Sequence, residues 1–327
     1  VSDFLTNKGY KVTLFDKKFS KHKQKKQKML IGELNNLKDL NKATKNIHTI
    51  FHFAASADLK EANDKPFDTV ENNIMGTVKI LKASLKNKVK KIVFASSIYA
   101  RSEQGGIYST SKLASEMIIE RLCKKFKIKF VILRFGTVYG LSPRIRFDVV
   151  INMLWGLALT TKEITLNSDG EAWRPHLHIE DACESIRCCI DWDIRQPELT
   201  ILNVGNNDDN YKIIDIAKII EQNVEDSKLK FLDQNNLDED KELVKDKKIQ
   251  DGVDTRTYKV SFDKIQEVIP NFKCQWNVEK GIIDLIQKLR TLELESSIFN
   301  QREFYRLQHI EHLYKSNQID RNLFWIK

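Results

Sequence analysis

The chain has 327 residues, with 54 Lys plus Arg against 45 Asp plus Glu, a formal net charge of +9 and 41% hydrophobic residues. That length holds one large domain or two unequal lobes with a sizeable core, and 17 Phe at this apolar fraction exclude a disordered chain. The 12 glycines are about half the usual share, and no spacing among them makes a Gly-x-Gly-x-x-Gly or Gly-x-x-x-x-Gly-Lys loop.

In chain order, Ser2 to Asn7 reads as the end of a helix stopped by Gly9, and Lys11 to Asp16 as a strand. Lys17 to Lys28 holds seven Lys with few aromatics. A nucleic-acid surface would interleave Arg and aromatic residues, so this run reads as a solvated loop. Leu37 to Thr44 is helical, Thr49 to Ala54 a short buried strand, and Pro66 to Asn87 one long amphipathic helix with apolar residues at 70, 74, 78, 81 and 85. Lys91 to Ala95 is a strand, Ser109 to Phe126 a helix, and Phe130 to Arg134 a strand. Strand and helix in alternation predict an α/β fold, a parallel sheet with helices on both faces.

After Gly140 the rhythm breaks. Residues 141–178 mix helix and loop, Ile179 to Asp191 is a helix, Thr200 to Val204 a strand, and Tyr211 to Val224 a helix. Residues 225–252 are highly charged and read as exposed, 254–289 hold a short strand and two helices, and 291–327 read as helices packing back on the body. The five Cys, at 123, 183, 188, 189 and 274, make no Cys-x-x-Cys pair and read as reduced, buried thiols. The longest apolar run, Val149 to Leu159, contains Asn152 and is too short for a bilayer. The expectation is a cytoplasmic protein with neither a membrane nor a nucleic-acid partner.

Chemistry enters at Tyr108 and Lys112. Four residues apart on a helix, they share a face. An ammonium beside a phenol favours the phenolate and makes a base usable near neutral pH. Eight Tyr and 41 Lys produce about one such spacing by chance, so the pair matters through its context. It opens a helix directly after a strand ending Phe94-Ala-Ser-Ser97, and ligands of parallel sheets bind beyond the carboxyl ends of the strands. Ser96 and Ser97 would otherwise serve as a turn or helix cap. His176 and His178 lack a third ligand at fitting spacing, and no metal is expected.

With these residues in view, the chain resembles the extended short-chain dehydrogenase/reductase family, specifically its NAD-dependent nucleotide-sugar epimerases and dehydratases. The pieces fall in the family's order over residues 1 to about 290. Gly9-Tyr-Lys-Val-Thr-Leu-Phe-Asp16 looks like its second strand, Gly32-Glu33-Leu34 like the adenine-contacting segment, and Phe51-His-Phe53-Ala54-Ala55 like the loop running along the cofactor. Asn73-Ile-Met-Gly-Thr77 matches its Asn-x-x-Gly-Thr helix. Leu133-Arg-Phe135-Gly-Thr137-Val-Tyr-Gly140 matches the strand leading to the substrate lobe. Trp173-Arg-Pro-His-Leu-His-Ile-Glu-Asp181 and Leu202-Asn-Val-Gly205 complete the series.

The resemblance implies a Rossmann-like doubly wound sheet with a smaller substrate lobe. The cofactor domain would be 1–140 and 179–205, the substrate lobe 141–178 and 206–290, and 291–327 an extension. It implies NAD contacts at Asp16, Glu33, Leu34, Phe53, Ala54 and Ala55, then at Asn73, Ala95, Ser96 and Phe135 and at the pair itself. Tyr108 would take a proton from a sugar hydroxyl. Lys112 would lower the Tyr108 pKa and hold the nicotinamide ribose, and Ser97 would bond the reacting oxygen. Thr137 would contact the substrate, and Arg174 and Arg256 would clamp its diphosphate, a task suited to guanidinium. Asp16 favours NAD over NADP, because an acid accepts the free 2′-hydroxyl and repels a 2′-phosphate. A homodimer through helices 66–87 and 109–126 is also implied.

Two departures stand out. Family dehydratases carry an acidic pair after the Ser/Thr, whereas Ser97 is followed by Ile98, Tyr99 and Ala100, which disfavours a 4,6-dehydratase; an epimerase is expected, with a reductase or dehydratase on the same scaffold as the alternative. The family's opening strand and Gly-rich turn, which cradle the pyrophosphate, have no counterpart. The expectation is that roughly 12–20 residues of that strand and turn belong ahead of Val1. The alternative is a chain that holds NAD weakly or acts as a silent binding protein.

Overall fold

The computed structural model describes residues 1–57, 59–102, 105–142, 145–147, 149–193, 200–231, 257–269 and 271–290. Arg256 and the expected extension 291–327 lie outside them.

The chain opens with α1 (Ser2–Asn7), β1 (Thr13–Asp16) and β2 (Lys28–Ile31). β1 and β2 pair in parallel, Asp16 opposite Ile31. Sequence patterning did not read β2, because four residues between the Lys-rich run and Gly32 are too few to show a period. That loop is tied back where Gln27 Nε2 donates to Asp3 and Thr6 of α1 at 2.8 and 3.1 Å. Helix α2 (Leu37–Ala43) starts at Asn36, whose side chain accepts from the Lys38 and Asp39 amides.

β3 (Thr49–His52) is followed by α3 (Leu59–Asp64), α4 (Pro66–Thr69), a π-helical turn (Val70–Met75) and α5 (Gly76–Lys86). The expected single helix 66–87 is therefore interrupted at Asn73. A π turn carries one extra residue and is frequent at functional sites. Gly76 follows it because a Cβ there would meet Leu34 Cδ2 at 2.5 Å. β4 (Lys91–Ser97) runs into a 3₁₀ turn (Ile98–Arg101), then α6 (Gly106–Phe126) and β5 (Lys129–Phe135). α6 stops at Lys127, in the left-handed conformation with φ +56°.

Beyond it lie β6 (Thr137–Tyr139), α7 (Val150–Thr161), β7 (Glu163–Leu166), β8 (Trp173–His178), α8 (Ile179–Asp191) and β9 (Ile201–Val204). β10 (Asn210–Lys212), α9 (Ile213–Asn223), β11 (Lys228–Phe231), α10 (Asp263–Val268) and α11 (Val278–Arg290) complete the described chain.

The described residues divide into two compact units, one within 1–136, 180–207 and 260–275, the other within 137–179, 208–231, 257–259 and 276–290. Segment 260–275 thus belongs with the first unit, whereas the sequence placed it in the second. The physical cause is local: Phe262 fills the space beside Gly205, and Lys264 Nζ donates to Ile201 O at 3.1 Å.

The first unit carries the parallel sheet β3-β4-β5-β9 and the separate pair β1-β2. Leu40, Ile80 and Ala83 of α2 and α5 pack against both Phe15 of β1 and Ile50 of β3, so one apolar cluster serves both sheets. α6 covers β4 and β5 through Ile119 and Cys123, which meet Ile92, Phe94, Phe130 and Ile132. Each such fully buried side chain contributes about 1.5–3 kcal/mol. The second unit carries the sheets β10-β8-β6 and β11-β7 over a core that includes Trp155, Phe147, Ile151 and Ile282. All five Cys are free thiols, four of them buried. No helix among the described residues is long and apolar enough to cross a membrane.

Candidate active site

Most of the expected cofactor residues stand at carboxyl ends of parallel strands in the first unit. Asp16 ends β1, Glu33 and Leu34 follow β2, Phe53 to Ala55 follow β3, Ala95 to Ser97 end β4, and Phe135 ends β5. Within each of the two sheets, parallel pairing sets these ends on one side, and the carboxyl edge is where ligands of α/β folds bind. Asp16 is exposed, and its Oδ1 accepts from the Lys18 amide at 3.0 Å.

Tyr108 and Lys112 lie on the first two turns of α6. The Lys112 Nζ is 6.0 Å from the centre of the Tyr108 ring and 4.8 Å from that of Phe94. It donates one hydrogen bond, 2.8 Å long, to the carbonyl of Ala95. Lys112 is only 4% exposed, and burial draws its pKa down to about 8 against the opposing pull of Glu116.

A second buried lysine sets the standard for comparison. Lys91 donates to three carbonyls, those of Cys189, Ile190 and Trp192, at 2.7–2.8 Å. Its donors are all used, as a buried structural ammonium requires. Lys112 has three donors and one acceptor among the described residues. Lys112 is thus a buried cation with donors to spare, next to a phenol at a sheet's carboxyl edge, the setting in which perturbed titratable groups cluster at functional sites.

The two serines separate cleanly. Ser96 donates its hydroxyl to Glu116 at 2.5 Å. Ser96 was expected among the cofactor contacts, but its side chain is committed to this buried bond. Neighbours on a strand point to opposite faces, so Ser97 is turned the other way. The Ser97 Oγ accepts from the Tyr99 amide at 3.2 Å, capping the 3₁₀ turn. Capping occupies the oxygen as acceptor and leaves the O–H to donate.

Asn73 braces the site. Its Oδ1 accepts from the Ser56 amide at 2.7 Å, and its Nδ2 donates to Ser56 O at 3.1 Å and Ser111 Oγ at 2.9 Å. The loop after β3 is thereby fixed to α6, one residue before Lys112. The Asn73 carbonyl accepts from Thr77 and Ser115. Thr77 gives its only proton there, so His52 Nε2 donates to Thr77 Oγ1, at 2.9 Å. Among the described residues His52 Nδ1 has no hydrogen-bond partner, and burial with nearby Lys112 lowers the His52 pKa to about 3. Sequence reasoning quoted His52 and Thr77 within motifs without giving them a role and did not name Ser111 or Glu116, for which the polar residues on the inward face of α6 were the available signal.

In the second unit, Arg174 is 6% exposed, donates to Trp173 O at 2.8 Å and lies 5.2 Å from the Tyr258 ring centre. Thr137 is partly buried in β6, opposite His176 of β8. His178 stacks on Trp276 at 4.1 Å between ring centres. Among the described residues no group of three His, Cys, Asp or Glu is placed to hold a metal.

The residues present fit a dinucleotide at two points. The Asp16 carboxylate has an oxygen left for a ribose diol, and the under-bonded Lys112 has donors for another.

Residues 1–205 match the family model described as the NAD dependent epimerase/dehydratase family. The UDP-N-acetyl-alpha-D-glucosaminuronate decarboxylase of Bacillus cytotoxicus is 27% identical over 68% of this chain and 75% of its own length. A UDP-glucose 4-epimerase of Halalkalibacterium halodurans is 28% identical, over 44% of this chain and 53% of that one. Among solved structures, the UDP-glucose 4-epimerase of Thermotoga maritima superposes with a TM-score of 0.71 at 19% identity, over 89% of this chain and 94% of that one. The UDP-glucuronic acid 4-epimerase of Bacillus cereus, solved with UDP-glucuronic acid and NAD, gives 0.68 at 22% identity, over 88% and 94%. These neighbours share the Rossmann fold.

Proposed function

Because this chain belongs to the NAD dependent epimerase/dehydratase family, we propose that it inverts one carbon of a UDP-activated sugar through a transient keto sugar. The observation that carries the reading is Lys112, a buried ammonium with one hydrogen bond beside Tyr108. NAD, when bound, supplies a reversible hydride acceptor. Asp16 would hold its adenosine ribose, and Lys112 its nicotinamide ribose.

The chain's own residues handle the proton. The Lys112 charge stabilises the Tyr108 phenolate, which takes the proton of the sugar hydroxyl and later returns it. Ser97 donates to the same oxygen. Asn73 and the π turn keep the loop after β3 and the start of α6 in fixed relation, so the pair is set before substrate arrives. Arg174 and Arg256 are proposed to hold the diphosphate. Exposed Phe67, Met75 and Met117, on α4, the π turn and α6, support a homodimer through these helices; a monomer in sedimentation at micromolar concentration would remove that part.

The test is turnover of a UDP-sugar panel by the full chain with NAD, Tyr108→Phe as control. The expected result is an epimer with no net reduced cofactor, and a rate lowered at least about 100-fold in the Phe variant. NAD binding without an epimer from any sugar overturns it. A second reading follows from the Bacillus cytotoxicus match: decarboxylation of a UDP-uronic acid. Release of CO₂ instead of an epimer would decide for it.

A further inference from the structure

One buried ion pair stands outside the residues expected of the site. Glu116 lies on α6 one turn beyond Lys112 and two beyond Tyr108, so the three share one side of the helix. It is 1% exposed. Its Oε1 accepts from Ser96 Oγ at 2.5 Å and from Arg134 Nε at 2.8 Å, and its Oε2 from Arg134 Nη2 at 2.5 Å. Ser96 and Arg134 face each other in the β4–β5 register. One carboxylate is thus gripped at three points by two adjacent strands.

Stability alone does not explain this arrangement. Well-packed apolar residues hold a helix on a sheet without the desolvation that a buried ion pair incurs. What the ion pair adds is a charge at a defined place. We propose that Glu116 is a positioning residue: clamped to β4 through Ser96 and to β5 through Arg134, it fixes the rotation of α6 and sets a negative charge one turn beneath Lys112. This rests on the reading of Tyr108 and Lys112 as the reacting pair.

The electrostatics agree in sign. Burial lowers the Lys112 pKa to about 8, and Glu116 is the group that opposes the fall. Of the other titratable groups, Tyr108 shares the helix, and His52, from β3, is held neutral by burial. Arg134, from β5, is taken up by Glu116. The remaining contacts of the ammonium, the Phe94 ring and the Ala95 carbonyl of β4, carry no charge. On this proposal, removing the carboxylate charge lowers Lys112 further, leaves less positive charge beside Tyr108 and disfavours its phenolate.

The test uses the full chain with Glu116→Gln. Tyrosinate absorption, taken as the difference between each protein and its Tyr108→Phe counterpart, reads Tyr108 without any substrate. The expected result is a Tyr108 titration moved up by about one pH unit, or about tenfold less phenolate at a fixed pH. Glu116→Asp keeps the charge and should restore most of the shift. The double variant Glu116→Gln/Arg134→Gln leaves no unpaired guanidinium and should show the same upward move if the single variant folds poorly. An unmoved titration in both variants overturns the inference, even where the wild type turns over sugar. A wild type without turnover overturns the proposed function instead, and the titration still decides the electrostatic link.

Discussion

At Lys112 the proposed function costs stability. Its ordinary pKa of 10.5 falls to about 8 in the folded chain because burial penalises the charge. Below pH 8 both states are protonated, and the folded chain bears the whole penalty. Between about 8 and 10.5 the unfolded state binds more protons, so stability from this group rises with pH. At 1.36 kcal/mol per unit the penalty is about 3 kcal/mol. Lys112→Met removes the charge and keeps an apolar chain against Phe94, at the loss of one hydrogen bond. The expected outcome is a gain of about 1–3 kcal/mol at pH 7 that shrinks toward zero near pH 10.5, together with loss of turnover. Urea unfolding at pH 7 and pH 10 checks it; a Met variant less stable at pH 7 would mean that this ammonium is structural.

Lys91 makes the opposite prediction at the scale of an element. Its three bonds close the carboxyl end of α8, where the carbonyls of Cys189, Ile190 and Trp192 have no partner further along the helix. Lys91→Met should lower stability by about 2–4 kcal/mol, since unsatisfied buried acceptors cost about 1–3 kcal/mol each and some will find water. Chemical denaturation reads this, with NAD affinity expected to stay within about threefold. A loss below 0.5 kcal/mol would show that the end of α8 is capped by other means. Elements of this kind were legible in the sequence to differing degrees. α8 was read at its observed bounds because Glu180 and Asp181 mark its first turn and apolar residues recur along one face. β2 and β11 are not legible there: only four residues each, they are strands because a neighbour offers a parallel ladder, at Lys28–Ile31 on β1 and Lys228–Phe231 on β7. The break at Asn73 was hidden because its cause is distant, a side chain bonded to Ser56 and Ser111. The same holds in the site. Tyr108, Lys112 and Ser97 share a short stretch and are readable as a motif. Ser96, Glu116 and Arg134 come from three elements, and only the β4–β5 register shows why they belong together.

The division into two units extends the reading to the whole molecule. Each has its own apolar core, built round Phe94 and Ile119 in the first and round Trp155 and Phe147 in the second. The proposed NAD contacts all fall in the first unit, and Thr137 and Arg174 fall in the second. A ligand stabilises what it binds by RT ln(1 + [L]/Kd), about 2.7 kcal/mol at 100 times its Kd, or roughly 100-fold slower exchange of amides that open with that unit. NAD is therefore expected to slow hydrogen exchange in 1–136, 180–207 and 260–275, and to protect 137–179 far less. UDP, by contrast, should protect the β8 strand around Arg174. Arg174→Ala should abolish the UDP effect and leave the NAD effect in place, because Arg174 lies in the second unit, beside Trp173 O and the Tyr258 ring, and the proposed NAD contacts lie in the first. Exchange read by mass spectrometry on the full chain separates these outcomes. Uniform protection of both units by NAD would show that they open as one cooperative body. UDP protection that survives in the Ala variant would move the diphosphate away from Arg174.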